Sequence, residues 1–87
     1  MSSIDLHIHS FASPDGQFSP SHILSLSKKR GLRVISITDH NSVRGVKQAL
    51  KKGSSFGLLV LPGIEIDCLF LDMNLHVLAY VRKARIY

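Results

Sequence analysis

Cysteine, proline and acidic residues are all scarce in this chain of 87 residues. It holds one Cys, three Pro and no Trp, and its six Asp and Glu face eleven Lys and Arg. The single Cys68 excludes an internal disulfide and a thiolate zinc cage. No apolar run approaches the ~18 residues of a membrane-spanning helix. The start Met1-Ser2-Ser3-Ile4-Asp5 lacks the basic and apolar regions of a secretory signal. A soluble, cytoplasmic protein is therefore expected, with no membrane partner. Few glycines and prolines beside 45% hydrophobic residues exclude collagen-like and low-complexity chains and indicate a packed globule. The length allows one domain, residues 1–87. A domain this small buries only about 63% of its unfolded surface. Such a core calls for support from packing, a non-thiolate metal or a second subunit, so a homo-oligomer is expected.

The net charge of +5 invites a nucleic-acid reading, but the cations are distributed otherwise. Lys28-Lys29-Arg30 precedes Gly31, and Lys51-Lys52 precedes Gly53. Both runs sit where a helix end favours positive charge. No aromatics interleave Arg33, Arg44 and Lys47 to stack bases. Nucleic acid is thus the lesser expectation, although the charge still attracts anionic substrates.

Along the chain, strands and helices alternate. Ile4, Leu6 and Ile8 alternate with Asp5, His7 and His9, the period of a strand with one aliphatic and one polar face. Ser13-Pro14-Asp15-Gly16 marks a loop leaving the end of that strand. Ser19-Pro20 opens a helix that Gly31 closes. Leu32 to Thr38 reads as a second strand, running into Asp39-His40-Asn41-Ser42. Asn41 or Ser42 is expected to cap a second helix, with Val43, Val46 and Leu50 on one face. Leu58–Leu61 and Ile64–Ile66 flank Pro62-Gly63 as a bent third strand that delivers Glu65. A hairpin is expected from Leu69–Leu71 to Leu75–Val81, with the tail beyond it frayed. The pattern specifies an α/β fold built from β-α-β-α-β units and a β-hairpin.

His7 and His9 lie two apart on one strand and can direct two imidazoles at one cation, with Asp5 placed to accept an N–H bond behind them. In parallel α/β folds functional groups collect at the carboxyl ends of strands, where His9, Asp15, His40 and Glu65 all fall. His76 sits within the last strand. His22 on the first helix is expected in solvent. Cys68 reads as a small hydrophobe, and Ser10 has no evident base to make it a nucleophile.

Five segments in order carry a more specific signal: Asp5-Leu6-His7-Ile8-His9-Ser10, Ser13-Pro14-Asp15-Gly16, Ile37-Thr38-Asp39-His40-Asn41-Ser42, Gly63-Ile64-Glu65-Ile66 and Leu75-His76-Val77-Leu78. Together they resemble the opening motifs of the PHP (polymerase and histidinol phosphatase) family of metal-dependent phosphoesterases. The resemblance implies part of a distorted seven-stranded β/α barrel with two or three divalent metals, Zn, Mn or Fe, at its strand ends. It implies His7 and His9 as ligands of one metal, Glu65 as a bridging carboxylate, His76 as a ligand of a second metal, and Asp15 and His40 at a third. Glu65 and His40 are the residues it implies for catalysis, and Asp39 for support beside His40.

Paired cations suit phosphate esters because they lower the pKa of a bridging water and neutralise phosphoryl oxygens. A phosphate-ester small molecule or nucleotide is the expected substrate, as a monoester or a diester. Family members continue past the His76 motif and supply further ligands there, whereas no His follows His76 here. The alternative expectation is therefore a catalytically inactive, metal-binding or oligomerising remnant.

Overall fold

The computed structural model describes residues 3–14 and 16–81. Asp15, expected as a ligand, and the tail expected to fray lie outside the described residues. In chain order the elements are β1 (Ile4–Ile8), α1 (Pro20–Lys29), β2 (Val34–Ile37), α2 (Arg44–Lys52), a 3-10 turn (Gly53–Phe56), β3 (Leu59–Val60), β4 (Gly63–Phe70) and β5 (Met73–Tyr80). This is a mixed α/β fold. β1, β2 and β3 form a parallel sheet in that order, and β4 and β5 form an antiparallel hairpin. A parallel bridge between His40 and Glu65 joins the two sheets.

Local chemistry explains most boundaries. Ser19 Oγ accepts the His22 N–H at 3.2 Å, and Pro20 takes the first helical position, where its missing N–H costs nothing. Lys28 and Lys29 occupy the last turn of α1, and Lys51 and Lys52 that of α2, each at the negative end of the helix.

The start of α2 differs from expectation. Val43 occupies the cap position without a side-chain cap bond, and Ser42 Oγ accepts only the Arg44 N–H, at 3.3 Å. Asn41 is unavailable because it sits at φ 50° with its Oδ1 accepting the Asp67 N–H at 3.0 Å. Val43 is exposed, and Ala49 with Val46 makes the buried face that Val43 was expected to share.

The core lies between the helices and one face of the parallel sheet. Ile23 and Leu24 from α1, Val46 and Ala49 from α2, Ile35 and Ile37 from β2, and Leu58 and Val60 form one buried cluster. The other face of β2 carries small polar residues. Ser36 Oγ donates to the Leu61 carbonyl at 2.7 Å, and Thr38 is fully buried beside it. β4 crosses here at Gly63, where a Cβ would meet Ser36 Oγ at 2.5 Å and the Thr38 methyl at 2.9 Å. Only glycine permits that approach.

β4 is longer than its sequence suggested. A single strand runs from Gly63 to Phe70, paired residue by residue with Met73–Tyr80, and the turn is Leu71-Asp72, both at positive φ. The expected gap at Asp67-Cys68 does not exist. Bonds to β5 and the Asn41 side chain carry the strand through it.

Candidate metal centre

Glu65 is the centre of the site. Its backbone N–H donates to the Asp39 carbonyl at 3.0 Å, and its carbonyl accepts the Asn41 N–H at 2.8 Å. The residue is thereby clamped to the segment that leaves β2 and is only 2% exposed. Its two oxygens face different imidazoles. Oε1 meets Nε2 of both His7 and His9 at 2.8 Å, while Oε2 meets Nδ1 of His76 at 2.8 Å and Nδ1 of His40 at 3.6 Å.

Burial by itself would raise the Glu65 pKa. Hydrogen bonds from His9 and His7, with the charges of His40 and His9, outweigh it and lower the pKa to about 2. The carboxylate is therefore ionised at neutral pH.

The imidazoles come from separate elements. His7 lies in β1, where the register with β2 shifts between Asp5 and Ile8, an irregularity of the kind that re-aims side chains. His9 follows the end of the same strand, and the rings of His9 and His40 lie 4.5 Å apart. His76 projects from β5 opposite Asp67, its ring 5.5 Å from that of His40. Asp5 accepts the backbone N–H of His7 at 3.2 Å rather than a ring N–H, so it steadies the strand and not the imidazole.

Asp39 is fully buried and holds the loop that follows β1. Its carboxylate accepts the Ser10 N–H at 2.6 Å, the Ser10 hydroxyl at 2.5 Å and the Ser13 hydroxyl at 2.8 Å. Ser13 Oγ in turn accepts the His40 N–H at 3.0 Å. Asp39 thus supports His40 through Ser13 and stands apart from the imidazole cluster. Ser10, buried and committed to Asp39, has no nucleophilic geometry.

Sequence reasoning missed Asp67, whose Oδ1 meets His40 Nδ1 at 2.9 Å. The available signal was the two-residue period of a strand, which puts Asp67 on the face of Glu65. It was obscured because the strand was expected to stop at Ile66. His22 is exposed as expected and stacks on Phe18, with ring centroids 4.6 Å apart. Cys68 is exposed on the hairpin, its thiol toward the Leu75 carbonyl at 3.7 Å.

Among the described residues two groups could each hold a cation: His7, His9 and Glu65, and His40, Glu65 and Asp67, with ligand atoms within 4.8 Å of one another in each group. The donor chemistry fits a divalent metal. Imidazole nitrogens and carboxylates suit Zn, Mn or Fe(II), and a buried carboxylate among imidazoles is an anion that a dication compensates.

The comparisons with known proteins agree with this geometry. Residues 5–87 match the PHP domain. The chain belongs to the PHP family. An uncharacterized protein from Methanocaldococcus jannaschii is 40% identical, over 71% of this chain and 42% of its own length. The 3',5'-nucleoside bisphosphate phosphatase of Chromobacterium violaceum is 29% identical, over 88% of this chain and 27% of its own. A crystal structure assigned as a metal-dependent phosphoesterase from Bifidobacterium adolescentis superposes with TM-score 0.82 at 32% identity, covering 88% of this chain and 27% of that one. The PHP chain described here thus spans between about a quarter and two fifths of the length of these relatives. No helix among the described residues is long and apolar enough to cross a membrane.

Proposed function

We propose that this chain forms the opening part of a PHP barrel and carries most of a metal centre for phosphate-ester hydrolysis. The observation that carries the reading is the division of Glu65, one oxygen toward His7 and His9 and the other toward His76 and His40. A buried carboxylate shared in this way suits a bridge between two cations. His7 and His9 would hold one, His76 the other, and His40 with Asp15 would serve a third. The bound metals, Zn, Mn or Fe(II), supply an activated water and neutralise phosphoryl charge.

The chain's own residues set that chemistry up. The backbone clamp of Asp39 and Asn41 fixes the Glu65 carboxylate, and the Asp67 carboxylate orients the His40 imidazole. Asp39 holds Ser10 and Ser13 so that the loop after β1 cannot drift from His9. A phosphomonoester of nucleotide size is the substrate class that the bisphosphate phosphatase relative supports.

The test combines metal content with hydrolysis of p-nitrophenyl phosphate and its bis-ester. The chain is expected to purify with about two equivalents of transition metal. Glu65→Gln should lose most of the metal and all turnover while keeping its circular dichroism. Wild-type metal content and activity in Glu65→Gln would overturn the reading. Metal binding without turnover in the wild type would favour a binding remnant instead. Association of two copies, suggested by the exposed apolar residues of β4 and β5, is checked by the molar mass in solution, and a monomer rejects it.

A further inference from the structure

A cavity of about 190 Å³ opens between β1 and α1, and none of the residues that line it belongs to the imidazole cluster. Ile8, Ile23, Leu26 and Leu32 wall it, and Phe18, stacked on His22, lies beside them. Its polar members are Ser27, Asp5 and Arg30. Ser27 is committed elsewhere, since its hydroxyl donates to the Ile23 carbonyl at 2.7 Å. Asp5 and Arg30 therefore bring two opposite charges to an otherwise apolar hollow.

Asp5 reaches this side of the sheet through the irregularity in β1. Strict alternation would set Asp5 and Ile8 on opposite faces, but the register shifts between them and both line the cavity. Their partners across the strand pair are Ile35 and Ile37, both in the core. The Asp5 carboxylate is oriented by the His7 N–H, which it accepts at 3.2 Å. Arg30 is placed by the end of α1, where its N–H donates to the Leu26 carbonyl at 3.0 Å and the Leu32 N–H to the Ser27 carbonyl at 3.0 Å.

Both charged residues are exposed, so they stand at the rim. Among the described residues neither has an ion-pair partner, and they do not pair with each other. Unlike charges that line one hollow without pairing suit a ligand that carries both signs itself. A cavity of roughly 150 Å³ takes benzene, so this one has room for a branched aliphatic group of about four carbons with its polar end at the rim.

We propose that this cavity binds a small aliphatic α-amino acid, with its carboxylate at Arg30, its ammonium at Asp5 and its side chain among Ile8, Ile23 and Leu26. The site stands independently of the metal reading, because it uses none of the side chains around Glu65.

The test is a nuclear magnetic resonance titration of the isotope-labelled full chain in chelator, which keeps the ligand from coordinating a metal. L-Valine is compared with isovalerate, which lacks the ammonium, and with isobutylamine, which lacks the carboxylate. L-Valine should shift the amides of Ile8, Leu26 and Leu32 saturably at about millimolar affinity, the range for a ligand of so few heavy atoms. It should bind about fivefold tighter than either analogue, the scale of one exposed ion pair. Arg30→Gln should reduce L-valine to the affinity of isobutylamine, and Asp5→Asn, which keeps an acceptor for the His7 N–H, to that of isovalerate. Both variants replace exposed side chains and should keep the wild-type spectrum away from the cavity. No saturable shift at these amides, equal affinity for the three ligands, or a preference for L-valine that survives both substitutions would overturn the proposal.

Discussion

Leu24 and Leu71 are the same residue in opposite settings. Leu24 is fully buried between α1 and the parallel sheet, while Leu71 at the hairpin turn is 81% exposed. The contrast extends to their surroundings. The β1–β3 region with its two helices encloses a continuous core. The hairpin instead presents Ile66, Leu69, Phe70, Met73 and Val77 to solvent. Yet the site draws on both regions, with His7, His9 and His40 from the first and Glu65, Asp67 and His76 from the second. One region is held by packing. The other is held to it at the site itself, by the clamp on Glu65 and the bond from the Tyr80 hydroxyl to the Leu6 carbonyl.

The largest expected effect tests the packed region. Leu24→Ala should cost about 2–5 kcal/mol in urea unfolding, because its cavity is closed on all sides. Leu71→Ala should stay within about 0.5 kcal/mol. Equal costs would erase the contrast.

Metal removal sharpens it. If the centre ties the hairpin down, a chelator should speed amide exchange in β4 and β5 by up to about a hundredfold, the linkage expected at a hundred times the dissociation constant. Amides of β2 should change far less. Uniform acceleration would show that the two regions open together.

Tyr80→Phe probes one further tie and should cost about 1 kcal/mol, the ordinary value of a hydrogen bond. Burial, then the charge of Asp5, raises the Tyr80 pKa above 10.0. The folded state therefore favours the protonated phenol. Its contribution is complete below pH 10 and is lost as pH rises through the higher folded value. Tyr80→Phe should flatten that alkaline decline, and an unchanged slope would remove Tyr80 from the account.

Much of the scaffold was legible because its signals are local. The Ser19-Pro20 start, the basic last turns and the strand alternation around His7 and His9 each lie within a few residues of what they specify. The cap of α2 was misread because Asn41 is drawn away to Asp67, 26 residues on, which no local rule registers. Asp67 itself was lost for the same reason. Its strand is continued by pairing with β5 and Asn41, not by its own propensities.

By itself, then, the sequence determined the order of strands and helices, the start of α1, the basic last turns of both helices, and the histidines and Glu65 that come together. Tertiary structure decided which of them meet. His7 and Glu65 are 58 residues apart, and their 2.8 Å contact depends on the bridge that seats β4 beside the end of β2. It also decided that Asp39 would be buried under two serines and that Arg44 would come to rest on Phe11. Propensity and periodicity act over one or two turns of chain, whereas the direction in which a side chain finally points is fixed by the packing of elements distant in sequence.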